Sequence, residues 1–317
     1  MAIRKTAAST RRSARKSSAA AARRPPVVAK SAAIRTRAAA KAAAMTVRFW
    51  GVRGSVAVSG PQFVKTGGNT SCTEVTCGDE TLILDLGTGL RALGAKLLER
   101  GPVRASLFLS HYHYDHIAGL PFFGPAYDPD SALAIYGATR KGKDVRQILS
   151  GQMIDPYFPI GLGAFNARLR FVTLQDGGAA HVGAATVRAA ELNHPGGAQG
   201  LRIECGGRSL VYATDFEHGT AADERLVELA RGANMMIFDA QYLPDEYDAE
   251  GAGSRKGWGH STWAVGVALA RKAGVERLAL YHHAPERDDA AIAKIGALAK
   301  QAHPGAFVAR EGLVVEV

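Results

Sequence analysis

Four side chains that can bind metal lie within six residues of this sequence. The run HYHYDH supplies His111, His113, Asp115 and His116, and it directly follows the apolar run 105–109. An extended segment with this spacing presents two imidazoles, then a carboxylate and a third imidazole, which suits two adjacent metal ions better than one. Such a mixed set favours zinc and also accepts manganese or iron. A purely structural loop has no need for three imidazoles at this spacing.

Further candidate ligands follow strand-like runs later in the chain. His194 follows the alternating stretch 185–192, Asp215 follows the apolar run 211–213, and the pair His282 and His283 follows the run 278–281. Any one of these alone would be typical of an ordinary loop histidine or a capping aspartate. Their order, His then Asp then His after H-x-H-x-D-H, makes the set specific.

With these motifs the sequence resembles the metallo-β-lactamase-fold hydrolases over residues 46–317. The resemblance implies that His111, His113 and His194 bind one metal, that Asp115, His116 and His282 bind the second, and that Asp215 bridges the two. It also implies that Asp85, in LILDLGTG, braces the metal loop from outside the ligand shell, as outer partners of metal ligands do. Within the neighbouring pair, it favours His282 over His283.

A second motif resembles the tRNase Z-like phosphodiesterase branch of these hydrolases. His260 lies in the segment Gly-His-Ser-Thr before an apolar-periodic helix, and Asp239 lies in an earlier apolar segment. The resemblance implies that Asp239 orients His260, although this chain has Phe-Asp-Ala-Gln where the branch has His-Glu-Ala-Thr. The alternative is that Ser261 or Thr262 only caps the helix and that His260 is a surface residue.

The positive charge of the chain is confined to its first 44 residues. The formal net charge is +10, but residues 1–44 contain 12 Lys or Arg and no Asp or Glu, and the remainder contains 27 basic and 29 acidic residues. The segment 1–44 is predicted to be disordered. Three interpretations of this segment stay open. It could be an arm that binds nucleic acid or an organelle transit peptide, which it resembles. It equally suits an extension upstream of a true start at Met45. It has no apolar stretch long enough for a signal peptide or a membrane span.

Residues 45–317 are predicted to form one α+β domain. Many short apolar or alternating runs punctuated by glycine are interleaved with helical patterns at 90–99, 222–231, 263–273 and 290–301. This mixture fits the αββα sandwich that the resemblance implies. The odd separation of Cys72 and Cys77 would place them on opposite faces of a strand. Together with Cys205 they are interpreted as reduced core thiols of a cytoplasmic protein.

The metal set predicts a hydrolase in which two divalent ions lower the pKa of a water and offset developing negative charge. Asp115 belongs to this catalytic set, and His260 is the candidate acid for the leaving group because an imidazole holds a proton near neutral pH. An acid of this kind favours phosphodiester cleavage over lactone or thioester hydrolysis. The glycine-rich loops around Arg53 and around Asn69 and Thr70 are candidate phosphate-binding loops.

We expect a small cyclic phosphodiester as substrate, a cyclic nucleotide or a phosphoribosyl cyclic phosphate. The chain lacks the long Gly- and Pro-rich arm of the tRNA-processing members, and residues 45–317 have no basic excess. The aromatic stretches 119–127 and 152–160 suit a pocket wall, a homodimer contact or plain core packing. The alternatives are a lactone or thioester hydrolase of the same fold, and a nucleic-acid-associated protein that acts through its basic tail.

Overall fold

The computed structural model describes residues 45–317, so the predicted disordered tail, residues 1–44, lies outside the described residues. The described residues form two seven-stranded mixed sheets. The first sheet has the strand order 14-1-2-3-4-5-6, with β1 (Met45–Gly51), β2 (Cys72–Cys77), β3 (Glu80–Leu84), β4 (Arg104–Phe108), β5 (Ala132–Gly137), β6 (Arg168–Thr173) and β14 (Val314–Glu316). The second has the order 13-12-11-10-9-8-7, with β7 (Ala179–Val182), β8 (Ala185–Leu192), β9 (Ala198–Cys205), β10 (Arg208–Ala213), β11 (Met235–Asp239), β12 (Arg277–Tyr281) and β13 (Ala306–Val308).

Each sheet has an antiparallel half and a parallel half. In the first sheet β3, β4, β5 and β6 pair in parallel, and in the second sheet β10 to β13 do so. The carboxyl ends of parallel strands meet at one edge of a sheet, where polar loop residues from neighbouring strands come together. Each sheet therefore presents one edge of this kind.

The α-helices of residues 45–317 are α1 (Leu90–Leu98), α2 (Tyr114–Ile117), α3 (Val145–Gln152), α4 (Ala222–Ala230), α5 (Pro244–Tyr247), α6 (Trp263–Ala273) and α7 (Asp289–Ala302). The five longest of these helices cover the outer faces of the sheets. Four of them match the helical patterns of the sequence to within one residue at each end. Helix α3 was not predicted, although Asp144 and Gln147 form a capping box at its start. Among the described helices, none has the length and apolar character needed to cross a bilayer.

Three layers of buried apolar side chains hold the sandwich together. The layer between the sheets includes Phe49, Phe108 and Tyr281. The two outer layers lie between one sheet and its helices, with α1 and α3 on the first sheet and α4, α6 and α7 on the second. Strand β11 is buried on both faces, as parallel strands covered on both sides are. The expected αββα sandwich is confirmed.

The cysteines correct one expectation. Cys77 and Cys205 form a disulfide, so their interpretation as reduced thiols is wrong, whereas Cys72 is free and buried. The two partners end β2 and β9, in different sheets, and both contribute to the layer between the sheets. Cys72 lies in the outer layer, so the expected placement of Cys72 and Cys77 on opposite faces of β2 is confirmed.

Candidate metal centre

The residues of the site follow the carboxyl ends of strands in both sheets. Asp85 follows β3, Asp215 follows β10 and His282 follows β12. All three have left-handed backbone conformations, with φ of 58°, 53° and 56°. Residues other than glycine seldom adopt this conformation, and when they do it is often at functional sites. Each strand thus ends in a sharp turn that brings its last polar side chain to the edge of the sandwich.

The first group of candidate ligands contains His111, His113, His194 and Asp215, whose potential ligand atoms lie within 4.8 Å of one another. His113 Nδ1 lies 3.1 Å from His194 Nε2, and His111 Nε2 lies 3.5 Å from Asp215 Oδ2. His194 Nδ1 lies 2.7 Å from the carbonyl oxygen of Gly259, to which it can donate. This bond leaves Nε2 of His194 facing the group.

The second group contains Asp115, His116 and His282, again within 4.8 Å. His282 Nε2 lies 3.2 Å from Asp115 Oδ2 and 3.2 Å from Asp215 Oδ1. His116 Nε2 lies 3.0 Å from the same Asp215 oxygen. Asp215 thus presents Oδ2 to the first group and Oδ1 to the second, which is the arrangement that a bridging carboxylate requires.

The donor set fits two divalent cations. His111 Nε2 is buried and has no hydrogen-bond partner within residues 45–317, although buried polar atoms are normally paired. Burial lowers the pKa of His111 well below its usual value, so its ring is neutral and can act as a ligand. Burial alone would raise the pKa of Asp215, but His116 and His282 hold it well below its usual value. Neutral imidazoles and ionised carboxylates are the forms that bind metal.

Three carboxylates act on the charge of His116. Burial alone would lower its pKa, but Asp215, Asp115 and Asp85 raise it well above the usual value. The same three carboxylates that would stabilise a protonated His116 ring would also stabilise a divalent cation bound to the neutral His116 ring. The fit thus rests on local charge as well as on ligand type.

Asp85 braces the metal loop as the resemblance implied. Its Oδ2 lies 2.7 Å from His116 Nδ1 and accepts a hydrogen bond from the Tyr212 hydroxyl at 2.8 Å. Its Oδ1 accepts from the Ser110 backbone amide at 2.7 Å. Because Nδ1 of His116 is held by Asp85, Nε2 faces the second group.

His283 is excluded from the ligand set by its contacts. Its Nε2 lies 3.1 Å from the carbonyl oxygen of Ala309, and the side chain is buried. Burial lowers the pKa of His283 to about 3, so the ring is neutral and donates this bond. The preference for His282 agrees with the structure.

His260 and Asp239 form a hydrogen-bonded pair beside the two groups. His260 Nδ1 lies 2.8 Å from Asp239 Oδ2, and only 8% of the histidine is exposed. Burial alone would lower the pKa of His260, but the charge of Asp239 and this hydrogen bond raise it to about 9. Thr262 does cap α6, since its hydroxyl accepts from the Val265 amide. His260 itself is buried in the site, so the alternative of a surface histidine is wrong.

Glu217 holds the loop that carries His260, a role that was not predicted from the sequence. Its carboxylate accepts from the Gly257 and Gly259 amides at 2.5 Å and 2.9 Å and from the Tyr247 hydroxyl at 3.1 Å. Gly259 has φ of 88°, and a Cβ there would approach His194 Nδ1 to 2.4 Å. The carboxylate therefore positions the backbone that orients His194.

The three expected phosphate-binding residues have structural contacts instead. Arg53 is completely buried and donates to the carbonyl oxygens of Gly67 and Arg287 at 2.8 Å and 2.7 Å. Asn69 donates to Glu311, and the Thr70 hydroxyl accepts from the Thr88 amide. Among the described residues, these three side chains support loops behind the metal groups and line neither of the cavities beside them.

Two cavities open beside the ligand groups and share no lining residue. The first, of about 330 Å³, is bordered by His111 and His113 and contains a set of basic and apolar residues: Tyr112, Arg140, Lys141, Lys143, Ile148, Pro195, Gly196 and Gly197. The second, of about 470 Å³, is bordered by His260 and contains aromatic and charged residues: Ser55, Val56, Gln241, Tyr242, Glu246, Arg255, Trp258, Ala284, Pro285, Glu286 and Arg287. The aromatic stretches of the sequence lie elsewhere, with Phe123 buried and Phe122 and Tyr157 exposed.

Residues 81–283 match the family model described as the β-lactamase superfamily domain. The chain belongs to this superfamily. It is 24% identical to Ribonuclease Z of Natronomonas pharaonis over 283 residues, which cover 75% of this chain and 86% of that protein. It is 32% identical to the uncharacterized protein ML1173 of Mycobacterium leprae over 167 residues, and this match spans about half of each chain, 51% and 55%.

The similarity extends to solved structures. The metallo-β-lactamase fold protein YhfI from Bacillus subtilis superposes with a TM-score of 0.65 at 21% identity, covering 87% of this chain and all of that one. The family membership and the similarity in fold confirm the expected metal-dependent hydrolase of the metallo-β-lactamase fold.

Proposed function

We propose that this protein is a phosphodiesterase that uses two zinc ions to hydrolyse a small cyclic phosphodiester. The observation that supports this best is the pair His260 and Asp239, which lies directly beside two groups of metal ligands. A hydrolase that releases an alkoxide gains from a proton donor next to its ligand groups, whereas one that opens a lactone or thioester has less need of one.

The ligand groups would hold the two ions through seven side chains: His111, His113, His194, Asp115, His116, His282 and Asp215. Divalent ions bound by these side chains would supply an activated water and would offset charge on the phosphoryl oxygens. Asp215 presents one carboxylate oxygen to each group and thus fixes their separation. Asp85 and the Gly259 carbonyl hold the outer ring nitrogens of His116 and His194, so both rings keep their orientation during turnover.

The hydrogen bond to Asp239 fixes the orientation of the His260 ring. Nδ1 donates to Asp239, which leaves the opposite ring nitrogen free for the leaving oxygen. Asp239 is itself held by the Phe216 and Gln241 amides, which donate to its two oxygens at 3.1 Å each. The carboxylate therefore positions the ring and stabilises its charged form, and His260 delivers a proton to the departing alkoxide.

The two cavities support a substrate of nucleotide size. Their volumes, about 330 Å³ and 470 Å³, lie at the lower end of the range for small-molecule sites. Beside His260, Trp258 is 57% exposed and has the Arg255 guanidinium 4.7 Å from its ring centre. An exposed ring in a cavity offers a stacking surface for a base. These features favour a nucleotide over a simple alkyl diester.

A substrate panel tests the proposal. Zinc-loaded protein from Met45 onward is assayed with bis(4-nitrophenyl) phosphate, 2′,3′-cyclic and 3′,5′-cyclic nucleotides, a homoserine lactone and an acyl thioester. We expect turnover of the phosphodiesters and a preference for a cyclic nucleotide. Turnover of the lactone or thioester without phosphodiester cleavage would refute the proposal in favour of the alternative hydrolases.

A second candidate is cleavage of RNA, which the similarity to Ribonuclease Z along most of that protein supports. The near-neutral balance of charge in residues 45–317 opposes it, because proteins that bind RNA through phosphates carry a basic surface. A tRNA with a 3′ extension, added to the same panel, separates the two candidates. The tail 1–44 as a nucleic-acid-binding arm, the cytoplasmic location and the homodimer stay predictions.

A further inference from the structure

The cavity beside His113 is bordered by a turn that carries three cations. Residues Arg140, Lys141, Gly142 and Lys143, called the basic turn below, connect β5 to α3, and their three basic side chains line the cavity that His111 and His113 also line. Arg140 and Lys143 exchange backbone hydrogen bonds of 3.0 Å and 2.9 Å. The turn is therefore closed on itself and holds its side chains at the mouth of the cavity.

The charges of the basic turn are only partly balanced. Arg140 Nη2 pairs with Glu191 at 2.8 Å, but its Nε is buried without a hydrogen-bond partner among residues 45–317. Lys141 and Lys143 form no ion pair within the same residues. Two positive charges thus remain uncompensated beside a cavity that leads to the metal ligands.

The backbone of the basic turn is held in an uncommon conformation. Lys141 has φ of 48° and Gly142 has φ of 75°, as in a type I′ turn. Asparagine or aspartate followed by glycine is the usual occupant of such a turn, and lysine tolerates the first position less well. A charged residue with an unfavourable backbone at a cavity mouth indicates a role for its side chain.

We propose that the basic turn is a second anion site, and that the substrate carries a phosphomonoester on the end of the molecule remote from the leaving oxygen. This inference rests on the proposed phosphodiesterase function. His260 lines the other cavity, so the leaving oxygen lies on that side, and the end of the substrate remote from it lies on the side of His113. A phosphomonoester carries nearly two negative charges at neutral pH. It matches the two lysines, whereas a diester carries only one charge.

Binding measurements test the site without turnover. Zinc-loaded protein is titrated calorimetrically with thymidine 5′-monophosphate and with thymidine 3′,5′-bisphosphate, which differ only in the second phosphate. We expect the bisphosphate to bind about 10-fold more tightly, from a few-fold gain at each of the two exposed lysines. In the double variant K141Q/K143Q that advantage should fall below about 2-fold.

A charge-matched control separates the site from the overall field of the protein. K294Q/K300Q removes the same two charges from the exposed side of α7, away from both cavities, and should keep the 10-fold advantage. Equal binding of the two nucleotides by the unchanged protein would overturn the inference. An advantage that survives K141Q/K143Q, or that K294Q/K300Q also abolishes, would do the same.

Kinetics distinguish this inference from the proposed function. The substrates are the 5′-(4-nitrophenyl) phosphate of thymidine and the same ester with an added 3′-phosphate. We expect the added phosphate to raise kcat/KM, and K141Q/K143Q to remove that gain. Turnover of both esters with equal kcat/KM refutes the second anion site but leaves the phosphodiesterase intact. No turnover of either refutes the phosphodiesterase, and the binding titrations then decide the anion site alone. A thymidine tetranucleotide without terminal phosphates serves as a further ligand. If it binds more tightly than the bisphosphate, the basic turn binds the backbone of a nucleic-acid chain, which would contradict the inference.

Discussion

Replacing His260 with alanine should slow only those reactions whose leaving group needs a proton. His260 is 8% exposed and its Nδ1 lies 2.8 Å from Asp239 Oδ2, so the proton donor is desolvated and oriented. Asp239 raises the pKa of His260 to about 9, against the effect of burial, so the ring is protonated at neutral pH. For an alkoxide leaving group we expect kcat to fall by roughly 10² to 10⁴, the usual contribution of a general acid. This fall corresponds to about 3 to 5 kcal/mol of transition-state stabilisation.

The assay compares a 2′,3′-cyclic nucleotide with bis(4-nitrophenyl) phosphate. Nitrophenolate leaves without protonation, so its kcat should change by less than about 10-fold. Zinc content is measured in parallel, because the His260 ring lies 5.0 Å from that of His282 and its removal could disturb the ligands. His260→Gln keeps most of the side-chain volume and a donor for Asp239 and should show the same selective loss. His181→Ala, which changes an exposed histidine of β7, serves as a control for purification and metal loading.

Equal losses on both substrates, with zinc retained, would refute the acid role and assign His260 to substrate positioning. A loss that zinc addition restores would assign it to metal retention. Rescue of His260→Ala by added imidazole, only with the cyclic nucleotide, would support proton donation most directly.

Four other outcomes are expected. Asp215→Ala should lower the zinc content from two ions per chain by at least one and remove most activity; two retained ions by elemental analysis would contradict the bridging role. Deletion of residues 1–44 should leave kcat on a small diester unchanged, and a large loss would place the tail in the active site. C77S/C205S should lower the free energy of unfolding in urea by about 2 to 4 kcal/mol, since the disulfide closes a separation of 128 residues, whereas no change would show that it contributes little. Metal-free protein should lose stability as pH falls from about 6.5 towards 3, because His283 binds a proton in the unfolded chain but stays neutral when buried in the folded one. His283→Gln cannot titrate and should therefore lower the pH at the midpoint of acid unfolding. An unchanged midpoint would exclude that linkage.

The sequence predicted which side chains would be grouped at the candidate metal centre because most of them follow the end of a strand. Strand ends are visible as the last residue of an apolar run, and the histidine at position 282 could be chosen over its neighbour from the resemblance alone. The same reasoning failed for Arg53, because a basic residue in a glycine-rich loop looks the same whether it faces a ligand or backbone carbonyls. The buried contacts of Arg53 with Gly67 and Arg287 depend on loops more than 200 residues apart.

Two other features were out of reach for a similar reason. The Cys77–Cys205 disulfide depends on how the two sheets face each other, which local periodicity does not report. From the sequence alone, the basic turn is indistinguishable from an ordinary exposed turn. Only the fold shows that it lines the same cavity as His113. Glu217 is only two residues after Asp215, so its position near the site was visible in the sequence. Its role was not visible, because the Gly257 and Gly259 amides that it accepts from are about 40 residues away in the chain.

The disulfide and the metal ligands lie at opposite edges of the sandwich. Cys77 and Cys205 pair with the residues that begin β3 and β10, and Asp85 and Asp215 follow the ends of these same strands. Each ligand group also draws on both sheets, so an ion bound there would join them just as the disulfide does. With metal bound, the two layers would be joined at one edge by a bond that reductants break and at the other by contacts that chelators break. Removal of the metal would release only one edge, and the disulfide would keep the layers together until metal bound again.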